Sequence, residues 1–146
     1  MGPTELKKRL SKFEDVPAEI WRKIKFMERT FNFADVLNGD RITIIDYLEV
    51  VTDFYQIAQL IFDIHKKMGK GICIVNIQKN KGTDFGRGGQ LGLEKPRLYL
   101  SMELGKIKIV KAKAWAKEGL NPNGLQRDFK LVQGSKFIAT TPWDKE

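Results

Sequence analysis

The stretch Arg41-Ile42-Thr43-Ile44-Ile45-Asp46-Tyr47-Leu48-Glu49 decides the reading of this 146-residue chain. Its β-branched, apolar run predicts a buried strand, because such residues fit a pleated surface covered on both faces. A carboxylate closes the run. In an open α/β sheet, ligands bind beyond the carboxyl ends of the strands, so Asp46 stands where a hydrated magnesium ion could be held.

Downstream of this stretch, Ile57, Leu60, Ile61, Ile64 and Met68 recur at helical spacing behind Thr52 and Asp53 as a cap, and Gly69 and Gly71 mark the stop. A second buried strand is expected from Gly71 to Ile77, ending on Asn76 and Gln78. Strand, helix, strand in that order makes a parallel pair. From Lys79 to Pro96, Gly82, Gly86, Gly88, Gly89 and Gly92 break every periodicity, and the segment reads as a mobile functional loop. Beyond it the pattern becomes β-rich. Leu98 to Met102 and Ile107 to Lys111 flank Glu103-Leu104-Gly105 as a hairpin, and Phe129 to Val132 and Lys136 to Ile138 follow around Gly134.

Upstream, Leu6, Leu10 and Phe13 share one face of a short helix from Thr4 to Phe13, and Asp15-Val16-Pro17 opens a further helical turn to about Lys23. Ile24 to Glu28 alternates apolar and polar residues like a strand, and residues 31–41 read as loop. The chain is therefore expected to form one α/β domain over residues 1–146. An α/β part spans 1–78, a glycine-rich basic loop 79–97 and a β-rich part 98–146.

Charge follows the same division. The chain carries 26 basic and 18 acidic side chains, a net of +8. Residues 1–30 contribute +3, residues 31–65 contribute −5 and residues 66–146 contribute +10. An acidic middle beside a strongly basic end suits a metal-nucleotide site next to a surface that binds a polyanion. Cys73 is the single cysteine and sits in an apolar run, so it reads as a core residue in a reducing interior. No run approaches the roughly 18 apolar residues that span a bilayer, and the N-terminus lacks a signal-peptide core, so a cytoplasmic protein with no membrane partner is expected. His65 has no second His or Cys nearby and reads as a surface residue.

Ile45-Asp46-Tyr47-Leu48 is similar to the Walker B signature of DnaB-type replicative helicases and of related phage and archaeal RecA-fold ATPases. Ile77-Gln78-Lys79-Asn80 resembles their sensor motif. The resemblance extends to Met1-Gly-Pro-Thr-Glu-Leu6, like the segment after the family's catalytic glutamate, and to Lys106-Ile-Lys-Ile-Val-Lys-Ala-Lys113, like the late strand bearing a Lys-x-Arg. Asn121-Pro-Asn-Gly124 and Phe137 complete the C-terminal pattern.

This likeness implies a partial RecA-like core with parallel strands and flanking helices, followed by an antiparallel β-hairpin region. It implies Asp46 as the ligand of the magnesium-bound water and Gln78 as the γ-phosphate sensor. Lys79, Lys81, Arg87 and Lys95 would contact single-stranded DNA, and Lys111 and Lys113 would reach an adjacent subunit's nucleotide in a homo-oligomer. Trp115 departs from the family where an arginine is expected on one alignment.

A larger departure is that no Gly-x-x-x-x-Gly-Lys-[Ser/Thr] occurs, and Gly86-Arg-Gly-Gly-Gln-Leu-Gly92 lacks the trailing Lys-Ser/Thr. The family's general-base glutamate would also precede Met1. The implied function is a truncated or split DNA-dependent ATPase or helicase core, inactive alone, that uses Mg2+ and ATP only when completed by an N-terminal half or a full-length homologue. The alternative is a non-catalytic basic module that binds single-stranded nucleic acid, or an interaction subunit.

Overall fold

In a computed structural model, residues 3–48, 53 and 56–145 are described. The chain is mixed α/β, with a two-stranded parallel sheet followed by a five-stranded antiparallel one. Helices α1 (Pro3–Leu10) and α2 (Ala18–Arg22) come first, then a 3-10 turn over Phe33–Val36. Next come strand β1 (Ile42–Leu48), helix α3 (Gln56–Lys67) and strand β2 (Ile72–Ile77). A 3-10 turn over Gly89–Leu93 lies in the long loop, and β3 (Leu98–Glu103), β4 (Lys106–Ala112), β5 (Leu125–Val132), β6 (Lys136–Ala139) and β7 (Asp144–Lys145) complete the chain.

Strands β1 and β2 pair in parallel with Ile42 opposite Ile72, Thr43 opposite Cys73, Ile44 opposite Ile74 and Ile45 opposite Val75. Side chains alternate along a strand, so this register gathers Ile45, Cys73 and Val75 on one face. That face meets α3. Ile45, Leu48, Ile57, Ile61 and Ile64 form the buried core cluster, with Phe33, Leu37, Leu60, Cys73, Val75 and Ile77 packed around it. The 3.6-residue period of α3 puts Ile57, Ile61 and Ile64 on one stripe and leaves His65 exposed. Its start is fixed by Asp53, whose carbonyl accepts the Gln56 N–H at 2.8 Å and whose carboxylate accepts the Gln56 side-chain amide at 3.1 Å. Thr52, expected to share that cap, lies outside the described residues.

Gly71 lets the two strands begin together. A Cβ on Gly71 would lie 2.2 Å from the Arg41 carbonyl oxygen and 2.6 Å from the Arg41 nitrogen, so only glycine allows this approach. The Gly71 N–H donates to the Gly39 carbonyl, and the Ile72 N–H to that of Arg41.

Two expectations are corrected. The segment Ile24 to Glu28 forms no strand; Ile24, Phe26 and Met27 are about half exposed. Alternation alone cannot make a strand without a neighbour to bond. The strands β1 and β2, expected to be buried on both faces, are covered on one only. Ile42, Ile44, Ile72 and Ile74 stand on the opposite face and retain between 48% and 70% of their exposure.

The antiparallel sheet runs β3-β4-β5-β6, with β7 pairing to β5. Phe129 and Phe137 stack at 4.6 Å across β5 and β6, and Arg127 lies over the Trp143 ring at 5.2 Å. Among the described residues β3 has no neighbour on its other side, and neither β1 nor β2 has a second partner. The chain exposes 11,207 Å² at 16.8 kDa. A compact monomer of that mass exposes about 7,700 Å². Much apolar surface is therefore left uncovered.

Candidate strand-tip site and basic loop

Asp46 sits near the end of β1, where the register shifts between Ile45 and Leu48 across a cis Asp46–Tyr47 peptide. Its carboxylate is exposed and accepts a 3.0 Å hydrogen bond from the Asn76 side-chain amide of β2. Asn76 thus orients one carboxylate oxygen of an exposed residue. Gln78 follows β2 directly and is exposed; its carbonyl accepts the Arg87 N–H at 2.8 Å, tying the end of β2 to the loop.

Magnesium binds through one or two carboxylates plus water and phosphate oxygens. A single exposed carboxylate at a strand tip fits one outer ligand of such an ion. Among the described residues no three His, Cys, Asp or Glu side chains gather to hold a metal by themselves. The rest of the coordination would have to come from a phosphate, and the sequence holds no Gly-x-x-x-x-Gly-Lys-[Ser/Thr] to cradle one. By their donor set, then, these residues fit a shared magnesium site and do not fit a self-contained ATP site.

The long loop is tethered at several points by the β3–β4 hairpin. Glu103 accepts from the Lys79 ammonium at 2.6 Å and from the Gly82 N–H at 3.0 Å. Lys79 also donates to the Thr83 carbonyl at 2.7 Å and is only 15% exposed. The Lys79 hydrogen bond, then the Gly82 N–H and the Lys79 charge, hold the Glu103 carboxyl below the usual carboxylate range. The Gly86 N–H donates to the Tyr99 hydroxyl at 2.7 Å, and Lys108 pairs with Asp84 at 2.8 Å. A Cβ on Gly86 would lie 2.8 Å from Ile77 and 3.1 Å from the Tyr99 hydroxyl, so the loop closes here only as glycine.

The loop's distal half is held from β4. Lys111 donates to the Leu93 carbonyl at 3.1 Å, and the Lys113 ammonium to that of Glu94. Lys95 lies over the Phe62 ring at 4.9 Å, on the outer side of α3, where Lys66 approaches the same ring at 5.0 Å.

Comparison with known proteins gives no match. Neither a family model, nor a curated protein, nor a solved structure is similar to this chain at a significant level. The geometry must therefore carry the reading.

That geometry pairs Asp46, two residues before the end of β1, with Asn76 near the end of β2, and puts Gln78 just beyond β2. It leaves Lys81 and Arg87 exposed on the loop while engaging Lys79 with Glu103. Lys111 and Lys113 turn onto the chain's own loop and meet Lys95 there. Sequence reasoning did not find Asn76 as the partner of Asp46, or Glu103 as the anchor of the loop. The available signal was the polar Asn76 in an otherwise apolar strand; Glu103 read only as a turn residue. No helix among the described residues is long and apolar enough to cross a membrane.

Proposed function

We propose that this chain is the metal-and-sensor half of a DNA-dependent ATPase or helicase core, completed by a phosphate-binding segment supplied from elsewhere. One observation carries the reading. Among the described residues the parallel β1–β2 pair, with Asp46 two residues before the end of β1 and Gln78 just past β2, has a bare isoleucine face and no strand on either outer edge. Parallel sheets need cover on both faces, and open edges invite pairing, so the pair has the form of a sheet awaiting its remaining layers.

The β2 and β3 sheets support the same reading. The Lys79–Glu103 pair ties the segment just past β2 to the end of β3, while among the described residues no strand lies against the free edge of either. A strand bearing a phosphate loop could pair with β2 and bring its glycine-rich turn to the side where Asp46 and Gln78 stand. Asp46 would then share a magnesium ion with the triphosphate, and Gln78 would hydrogen-bond the terminal phosphate or the attacking water. Lys81, Arg87 and Lys95 would neutralise phosphates of a bound single strand without reading its bases.

Co-expression with the polypeptides encoded beside this chain tests the proposal. A co-purifying partner that carries Gly-x-x-x-x-Gly-Lys-[Ser/Thr], or a full-length homologue, is the expected result. A chain that stays monomeric with all such partners would overturn it. The uneven charge favours a second reading, a module that binds single-stranded nucleic acid with no nucleotide dependence; it predicts the same DNA affinity whether or not a phosphate-loop partner is present.

A further inference from the structure

Arg97 and Lys113 face each other across the start of the β3–β4 pair. The Lys113 N–H donates to the Arg97 carbonyl at 2.8 Å, and the next pair in the ladder is Leu98 with Ala112. Like charges directly opposite on a sheet repel, a modest cost that a bound anion would offset. Lys111, opposite Tyr99, stands two residues along from Lys113, and both ammonium groups reach the same turn through the Leu93 and Glu94 carbonyls. Lys95 enters from that turn. Burial first, then the charges of Lys111, Lys95 and Arg97, push the Lys113 ammonium below the usual lysine range, while Glu94 is the smallest influence and the only one in the other direction.

Each lysine ammonium has three donors, and the bonds to Leu93 and Glu94 use one apiece. Among the described residues no carboxylate pairs with the remaining donors or with the Arg97 guanidinium. We infer that Lys95, Arg97, Lys111 and Lys113 form one phosphate site, which takes the backbone of a single-stranded nucleic acid within a single chain. This rests on the nucleic-acid part of the function proposed above, and it reassigns Lys111 and Lys113 from a neighbouring subunit's nucleotide to a polymer bound in cis.

The shape of the site favours a polymer over a free nucleotide. The adjoining cavity, lined by Ala58, Gln59, Phe62, Leu91, Glu94 and Lys95, holds about 270 Å³. Only Lys95 of the four cations lines it, so it does not enclose a ligand held by the cluster, whereas a single strand needs only a basic strip on an open surface.

The test is fluorescence anisotropy of a labelled oligo(dT) against the full chain, without nucleotide, from 50 to 200 mM salt. Each phosphate contact to a single strand contributes about 0.7 to the slope of log affinity against log salt. The double variant Lys111→Gln, Lys113→Gln should lower that slope by about 1.4, and Lys130→Gln on β5 should leave it unchanged. An unaltered slope in the double variant would overturn the inference. So would loss of pyrophosphate binding with oligonucleotide binding intact, because the charges would then serve a nucleotide.

Since the two lysines also tether the loop, acetylation of the unmutated chain gives an independent reading. Oligo(dT) should protect Lys95, Lys111 and Lys113 relative to Lys130. Equal labelling with and without the oligonucleotide would refute the site. Neither measurement involves ATP turnover, so this site and the ATPase reading can fail separately.

Discussion

Replacing Ile44 and Ile74 with serine isolates the open face of the parallel sheet. The two side chains retain 64% and 48% of their exposure, together roughly one fully exposed isoleucine. Burying such a side chain is worth about 1.5–3 kcal/mol. Because that surface is already in water, the double variant should lose only the fraction of a kcal/mol that strand propensity commands. Its melting temperature should stay within a few degrees of the parent. Binding of a hydrophobic dye and self-association should both fall. Affinity for a segment that covers the face should drop by roughly tenfold to about 150-fold, the equivalent of the burial forgone. The contrast is Ile57→Ala, at a position with 0% exposure, which should cost about 2–5 kcal/mol and melt the α3–β1–β2 unit. A double serine variant that melts as early as Ile57→Ala would refute the reasoning, because Ile44 and Ile74 would then belong to the core.

Other consequences follow from particular contacts. Gly71→Ala places a methyl against the Arg41 backbone and should cost roughly 1–3 kcal/mol in chemical denaturation, whereas a neutral effect would contradict the close approach of the strands. The lowered Glu103 pKa sets a direction with pH: its anchoring of Lys79 and Gly82 is fully present above the ordinary glutamate value and is lost as pH falls through the lower folded value. The Gly82 amide resonance should therefore titrate with a midpoint below that of an ordinary glutamate and stop doing so in Glu103→Gln; a midpoint at or above the ordinary value would count against the clamp. Burial pushes the Cys73 thiol up, so it should react with a disulfide reagent far more slowly in the folded chain than in denaturant. Equal rates would place Cys73 outside the sheet.

The local pattern of the chain was enough to place β1, α3, β2 and the β3–β4 hairpin, because each has strong periodicity bounded by glycine or a cap, and the long loop, because its glycines break any periodicity. It failed at Ile24 to Glu28, where alternation suggests a strand but pairing depends on residues far away. It also failed to show that β1 and β2 are covered on one side only, since a run of isoleucines reads the same whether or not a second layer is present. Within the candidate site, Asp46 and Gln78 could be named as strand ends. Their link to Asn76 and Arg87, the engagement of Lys79 by Glu103 and the turn of Lys111 and Lys113 onto Leu93 and Glu94 are contacts between segments distant in sequence. Composition showed that the C-terminal part is basic, but only the register of β3 against β4 shows which charges converge.

The central claim is that Asp46 and Gln78 belong to an ATPase site that another segment completes. Its most direct test is ATP hydrolysis by this chain in the presence of single-stranded DNA and Mg2+, with and without a co-purifying polypeptide that bears the phosphate loop. The account predicts no turnover by the chain alone, turnover on mixing, and its loss in Asp46→Ala while the two polypeptides still associate. Turnover on mixing that survives Asp46→Ala, or hydrolysis by the chain alone, would contradict it.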